Sequence, residues 1–266
     1  LIRPLIRANK WRFNKVHIMV FFIFLVANIG GALTPLGDPP LFLGFLHGVS
    51  FFWTTKNLFV PMAFISFILL ILFFFIDNYF YKKETKIPDA KNNIANIKIL
   101  GKVNFVLLLF VILAVLLSGF WNPHIYYTIM GVHLELQNIL RDILLLFITA
   151  ISIKITKENI RKENGFTWFP IMEVAKLFAG IFITIIPAIA ILKTGKSGDL
   201  GFIIDLLNDK AGNPIDLMYF WLTGLLSAFL DNAPTYLVFF NTAGGNAEIL
   251  MTDMKSTLLA ISTGAV

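Results

Sequence analysis

Two short segments of this chain combine oxygen-bearing side chains with residues that break helices. The first, from Asn28 to Pro40, reads N-I-G-G-A-L-T-P-L-G-D-P-P, and the second, from Leu226 to Tyr236, reads L-S-A-F-L-D-N-A-P-T-Y. Carboxylate, amide and hydroxyl oxygens are ligands for hard cations, and a carboxylate also takes up a proton. The two segments therefore predict a place where an ion or a small polar substrate is held.

Both segments fall where an apolar helix would otherwise continue. Glycine and proline weaken or forbid helical hydrogen bonding, so the helices must break there. The breakers are Gly30, Gly31, Pro35, Gly37, Pro39 and Pro40 in the first segment and Pro234 in the second. Inside a membrane, an irregular backbone is tolerated only where it is buried in protein or lines a wet cavity. Secondary transporters hold ions and substrates at such broken helices.

Composition places the chain in a membrane. Apolar residues make up 57% of its 266 residues and charged residues only 14%, which is too few for a solvated surface on all sides. The prediction is an all-α polytopic membrane protein. The net charge of +6 comes from short basic stretches between apolar runs, which set topology and argue against nucleic acid as a partner. The absence of cysteine excludes disulfides and thiolate-bound metals.

The order of charged and apolar stretches predicts the crossings. The basic segment Leu1 to Lys15 carries no acidic residue and is expected in the cytoplasm. Apolar runs near the roughly 20 residues that a bilayer requires are expected to cross it. They are Val16 to Gly37, which is broken, Leu58 to Ile76, Val103 to Trp121, Ile143 to Ile153 with its charged flanks, and Phe166 to Leu192. The polar residues 77–102 are predicted to form a cytoplasmic linker, and Lys193 to Pro214 an external loop.

The second segment is expected to be a re-entrant hairpin whose tip lies at Asp231 to Thr235. Its flanking apolar runs, Leu217 to Leu230 and Tyr236 to Phe240, are too short to be two crossings. A single crossing that is broken in the middle is the competing interpretation.

Glu173 and Lys176 lie in the interior of the last predicted crossing. Their i, i+3 spacing places them on one helix face. They are either an ion pair that faces a cavity and exchanges a proton, or two interfacial residues that extend toward the headgroups.

A second class of function is open at this point. Asp205 and Asp209 form a D-x-x-x-D pattern of the kind that holds magnesium diphosphate in prenyltransferases. A membrane-embedded transferase would use that pair, although no second acidic motif faces it. We expect no enzymatic activity and no cofactor.

Three motifs in order resemble the NhaD-type sodium/proton antiporters, which belong to the ion transporter superfamily together with citrate and arsenite permeases. They are the two broken segments and E-V-A-K-L-F-A-G-I-F-I-T-I-I-P from Glu173 to Pro187. The resemblance implies two inverted repeats that each supply a hairpin and a broken helix to one central site. Residues 1–76 would end the first repeat, and residues 103–266 would form most of the second. The first hairpin would then precede Leu1 and the second broken helix would follow Val266, as in an internal fragment.

The resemblance also implies what is bound and how. By their oxygen-bearing side chains, the expected sodium ligands and transport residues are Asn28, Thr34, Asp38, Asp231, Asn232 and Thr235, with Asp231 and Asn232 as the metal ligands; Asp38 is a ligand or a partner of a helix N-terminus. Na⁺ or Li⁺ and protons would compete for one site that alternates between the two sides of a bacterial inner membrane. The family also implies pairing into homodimers. A carboxylate or arsenite permease is the nearest alternative, although two aspartates would repel an anion, and a nonfunctional piece of a split gene is another.

Overall fold

The protein is helical almost throughout. Its structure is a computed structural model that describes residues 2–84, 100–129, 132–194, 198 and 201–266. The helices are α1 (Ile2–Ala8), α2 (Val16–Phe22), α3 (Pro39–Leu46), α4 (Phe51–Tyr81), α5 (Val103–Phe120), α6 (Leu136–Ile155), α7 (Glu158–Glu163), α8 (Phe169–Lys193), α9 (Gly201–Leu207), α10 (Asp216–Phe229), α11 (Asn232–Thr242), α12 (Ala247–Met251) and α13 (Lys255–Ala265). Two strands, β1 (Tyr126–Ile129) and β2 (Val132–Glu135), pair antiparallel.

Four helical segments of the described residues are long and apolar enough to cross a membrane. They are Val16–Leu33, Phe51–Tyr81, Val103–Phe120 and Phe169–Pro187. Few of their apolar side chains are buried by the rest of the chain, so these surfaces suit a hydrocarbon surrounding. The predicted all-α membrane fold is confirmed. The predicted crossing around Ile143 to Ile153 is also a helix, α6, and its 20 residues include the charged flanks.

Two details differ from the sequence predictions. The stretch predicted as an external loop, Lys193 to Pro214, contains the helix α9. The strands β1 and β2 have no counterpart in the predictions. Both elements are short, and short elements are stabilised by contacts that a local pattern does not reveal.

Contacts divide the chain into two compact units. One contains Leu1–Ile87 and Ile171–Val266, and the other contains Pro88–Pro170. In the second unit, α5 packs against α6, and the Asn104 amide bonds the hydroxyls of Ser152 and Thr156. The division into repeats at 1–76 and 103–266 stays a prediction, as does the linker between them. Residues 85–99 of that linker lie outside the described residues.

The first crossing is broken at the predicted place. After α2 the chain continues through a π-helical turn (Ile23–Asn28) and a 3₁₀ turn (Ile29–Leu33). It then becomes extended at Thr34, with φ −142° and ψ 153°, and again at Asp38 before α3 begins. Proline at the first positions of α3 fits there, because the N–H groups that it lacks would have no helical partner.

A pair of threonines in α4 satisfies the backbone at this break. The Leu33 carbonyl, at the end of the 3₁₀ turn, accepts hydrogen bonds from the hydroxyls of Thr55 at 2.6 Å and Thr54 at 3.3 Å. A buried carbonyl left without a partner would cost about 1–3 kcal/mol. The threonines therefore stabilise the break at the end of this helical segment.

Replacing Thr55 by Val is expected to lower the free energy of unfolding by about 0.5–1.5 kcal/mol, because the Leu33 carbonyl loses its shorter hydrogen bond and keeps the longer one from Thr54. Thermal unfolding of the detergent-solubilised protein measures the change. Thr149→Val is the matched control, since the Thr149 hydroxyl bonds only a carbonyl of its own helix on an exposed face. Equal effects of both substitutions would contradict this role for Thr55.

The second segment forms a hairpin. The rings of Tyr219, early in α10, and Phe239, late in α11, lie 6.2 Å apart. In one continuous helix these positions would be about 30 Å apart. The chain therefore reverses between Leu230 and Asp231, and the interpretation as a single broken crossing is wrong.

α13 completes the packing around the hairpin. The Thr257 hydroxyl donates a 2.6 Å hydrogen bond to Asp216 at the start of α10. Farther along, Gly264 lies against the backbone of α10, where a side chain would meet the Phe220 carbonyl at 2.6 Å. α10 and α13 therefore run parallel and in backbone contact, a packing typical of membrane helices with small residues at the crossing.

Candidate ion-binding site

The two breaks meet because α3 and α11 lie side by side and run parallel. At their starts, the Asn232 amide lies 3.5 Å from Asp38 Oδ1. At their ends, His47 packs edge-on against Phe240, with the ring centroids 5.8 Å apart. Both helix N-termini therefore point to one place, at which the residues of the two broken segments come together.

Asp38 is the buried carboxylate of this site. Only 8% of the residue is exposed. Its Oδ1 faces the Asn232 amide, whereas its Oδ2 is buried and has no hydrogen-bond partner among the described residues. Asp38 precedes α3, yet its side chain makes no capping hydrogen bond. Burying an anionic oxygen without a partner costs free energy, so a proton or a bound cation would stabilise this atom.

Asp231 occupies the matching position before α11. Its carboxylate caps the helix by accepting a 3.0 Å hydrogen bond from the Ala233 N–H. The Thr235 hydroxyl donates to the Asp231 carbonyl at 2.9 Å. Asp231 lies close enough for its charge to repel that of Asp38. The two aspartates thus differ in environment. Asp231 is half-buried and its carboxylate accepts a capping hydrogen bond, whereas Asp38 is buried and one of its carboxylate oxygens accepts none.

The helix N-termini offset only part of the negative charge at the site. Each helix N-terminus carries up to roughly half a positive charge, which resides on its free N–H groups. α3 begins with two prolines that lack those groups, so the starts of α3 and α11 offset at most about one of the two carboxylate charges. At least one negative charge remains when both aspartates are ionised.

Close backbone contact fixes the extended stretch before Asp38. A side chain at Gly37 would meet the Gly31 carbonyl oxygen at 2.5 Å and its Cα at 2.7 Å. The Gly37 N–H also closes a turn with the Thr34 carbonyl at 2.9 Å. Glycine is needed at both positions, because this fold brings the backbone back onto itself and thereby holds Asp38 in place.

The other predicted site residues fall into two groups. Thr235 is buried in the first turn of α11, beside Asp231, and Thr34 is half-buried in the extended stretch. Asn28 ends the π-helical turn and is exposed, and no hydrogen bond of the described residues connects it to either aspartate. The predicted breakers Gly30, Pro35, Pro39, Pro40 and Pro234 all lie at the two breaks.

Glu173 and Lys176 lie away from this site. α8 contacts α3 and α11 through Phe178 and Ile185, which share one helix face. At 100° per residue, Glu173 and Lys176 fall on the opposite face, and both are exposed. Among the ion pairs of the described residues, none joins them. Their predicted role in proton coupling stays a prediction.

Asp209 has a structural role in its loop. It accepts hydrogen bonds from the N–H groups of Ala211 and Asn213 and from the Asn213 amide. The bonds from Asn213 hold the pKa of the Asp209 carboxyl below its usual range. Asp205 belongs to α9. Because Asp209 is committed to the turn, the pair does not present two free carboxylates to a magnesium diphosphate.

Two contributors to the site lie outside the two broken segments and were not predicted from the sequence. Gly44 in α3 faces the fully buried Tyr236 of α11, whose hydroxyl and ring occupy the space of a side chain. Thr55 stabilises the break from a different helix. A threonine pair at the start of an apolar helix is the only local hint of that bond.

One helical segment long enough to cross a membrane breaks just before Asp38, where the second broken segment meets it, and such an arrangement is typical of multi-pass membrane transporters. The chain belongs to the family described as putative citrate transport, which matches residues 1–266. This confirms the predicted relation to the ion transporter superfamily.

A stretch of 64 residues is similar to sodium/proton antiporter 2 of Arabidopsis thaliana, at 39% identity. The match covers 24% of this chain and 14% of that antiporter. No solved structure matches the chain.

Proposed function

We propose that the chain forms the ion site of a secondary transporter that exchanges Na⁺ or Li⁺ for protons. The buried, unpartnered Oδ2 of Asp38 is the observation that carries the proposal. A carboxylate in this position is favoured when it is protonated or bound to a cation, and the proton and the cation compete for it.

Each residue of the site has its own role in one exchange cycle. Asp38 binds the proton or the cation. Asp231 and Asn232 supply further oxygen atoms, and Thr235 stabilises the Asp231 backbone through its hydroxyl. When Na⁺ arrives, the Asp38 proton leaves to water, and the net charge of the site is the same on both branches of the cycle. Alternating exposure of this site to the two sides of the membrane couples the two gradients. We place this transporter in a bacterial inner membrane.

An anion permease is the second candidate. The family description refers to citrate, and the N-termini of α3 and α11 both favour anions. Two aspartates at the same point oppose that binding, because a carboxylate substrate would meet their negative charge. A cation that binds first would remove this obstacle.

Transport measurements on the membrane-inserted chain separate the two candidates. In everted vesicles that carry a pH-sensitive dye, Na⁺ and Li⁺ are expected to dissipate an imposed proton gradient, whereas K⁺ is not. Citrate and arsenite are expected to leave the response unchanged. Citrate uptake without Na⁺-driven proton movement would overturn the antiport proposal in favour of the permease.

A further inference from the structure

Ionic contacts join the end of α4 to the basic N-terminal segment. Arg12 Nη2 and His17 Nε2 each lie 2.7 Å from Oδ1 of Asp77. The Arg12 side chain is only 5% exposed, and its guanidinium lies 5.6 Å from the centre of the Tyr81 ring. The Asp77 carboxylate is therefore occupied by its contacts with Arg12 and His17.

A second carboxylate fixes the residues that follow Arg12. Glu84 accepts hydrogen bonds from the N–H groups of Phe13 at 3.0 Å and Asn14 at 2.9 Å. These bonds hold the pKa of the Glu84 carboxyl below its usual range. The fixed backbone presents the Phe13 side chain outward, and the residue is 89% exposed. A Phe ring held outward at the end of a membrane helix suits the boundary between the headgroups and the acyl chains of a bilayer.

Four lysines are close in sequence to the two residues that this bond joins, Phe13 and Glu84. They are Lys10, Lys15, Lys82 and Lys83, and in the described part of the chain none of them forms an ion pair. Lys83 Nζ donates to the Tyr79 hydroxyl at 2.6 Å and lies 4.1 Å from the centre of that ring. Asp77 is paired with Arg12 and His17, whereas Glu84 accepts only N–H groups and keeps its negative charge beside Phe13. Four lysines and Arg12 outnumber these two acids, so the net charge here is positive, and an aromatic residue projects from the surface.

We infer that this surface, formed by Lys10, Lys82, Lys83 and Phe13, binds the phosphodiester headgroup of an anionic phospholipid. The cations supply the attraction for phosphate. The exposed Phe13 ring favours a lipid over a free anion. Its apolar surface leaves water only where the acyl chains of a lipid cover it, and a free anion has none. Arg12 and Asp77 position the surface and do not bind the lipid.

Lipid binding to the purified, detergent-solubilised chain tests this inference by native mass spectrometry. Phosphatidylglycerol is expected to bind more tightly than phosphatidylcholine, and soluble glycerol phosphate only weakly. Each cation near an anionic lipid surface contributes roughly fivefold in affinity. The double substitution K10Q/K82Q should therefore weaken phosphatidylglycerol binding about 25-fold and leave phosphatidylcholine binding unchanged.

The double substitution K154Q/K157Q is the matched control, since it removes two exposed lysines from another connection between membrane helices. It is expected to change phosphatidylglycerol binding little. Phe13→Ser should weaken binding of both lipids and leave the weak binding of glycerol phosphate as it is. Equal losses in both double variants would indicate diffuse attraction and overturn the inference. Glycerol phosphate that binds as tightly as phosphatidylglycerol would overturn the choice of a lipid.

Discussion

Asp38→Asn is expected to abolish Na⁺-driven proton movement while leaving the fold intact. The amide has the shape of the carboxylate but can neither release a proton at physiological pH nor neutralise a cation. Losing a buried ionic partner costs about 3–5 kcal/mol, so the apparent Na⁺ affinity should fall by roughly 10²–10⁴. Proton flux in vesicles measures the loss of exchange, and calorimetric titration of the purified variant with Na⁺ measures the affinity.

Thermal unfolding distinguishes this effect from misfolding. The neutral amide of the Asp38→Asn variant replaces a buried charge whose Oδ2 has no partner, so the variant should unfold at the same or a higher temperature than the parent chain. Asp253→Asn makes the same charge change at an exposed position and should transport normally. Asp231→Asn is expected to have a smaller effect, because Asp231 is only half-buried and an amide can still cap α11. An Asp38→Asn variant with normal Na⁺ affinity would contradict the assignment of the site.

Gly37→Ala is expected to destroy the break that holds Asp38. Its new methyl group would lie 2.5 Å from the Gly31 carbonyl oxygen, and both groups that collide are held by the backbone. Overpacking lowers the free energy of unfolding by about 1–3 kcal/mol when the surrounding side chains can move aside. We expect a loss of at least the upper end of that range here, because backbone atoms cannot move aside as easily. The fraction of monodisperse protein after solubilisation and its melting temperature measure the loss.

Gly180→Ala is the control for Gly37→Ala. Nothing lies within 4 Å of the position that its methyl group would take in α8, so only the helix propensity changes. That change should stabilise the protein by up to about 1 kcal/mol. Gly31→Ala, which meets the Gly37 carbonyl at 2.7 Å, should behave as Gly37→Ala does. If Gly37→Ala melted like Gly180→Ala, the close contact between Gly31 and Gly37 would be disproved.

The breaks could be predicted because their causes are local. Gly31, Gly37 and the prolines interrupt helical bonding wherever they stand, and Asp38 and Asp231 are conspicuous in apolar surroundings. The hairpin also followed from local lengths, since the runs beside Asp231 are too short to cross twice.

The partners of these residues could not be predicted from local patterns. The bond from Thr55 to Leu33 and the fit of Tyr236 against Gly44 join distant parts of the chain. Helical periodicity placed Glu173 and Lys176 on one face correctly, but it does not say which face of α8 meets the rest of the protein. That choice depends on Phe178 and Ile185, which are ordinary apolar residues in the sequence.

The parallel alignment of α3 and α11 also constrains how the protein is made. Asp38 and Asn232 are separated by 194 positions, so the ribosome must add that many residues before the pair can form. At about 5–20 residues per second, this takes roughly 10–40 s. During that interval the Asp38 side chain has no Asn232 amide beside it, and a charge that is buried without a partner is costly. The nascent chain is therefore expected to carry Asp38 in its protonated form until α11 has been synthesised and inserted.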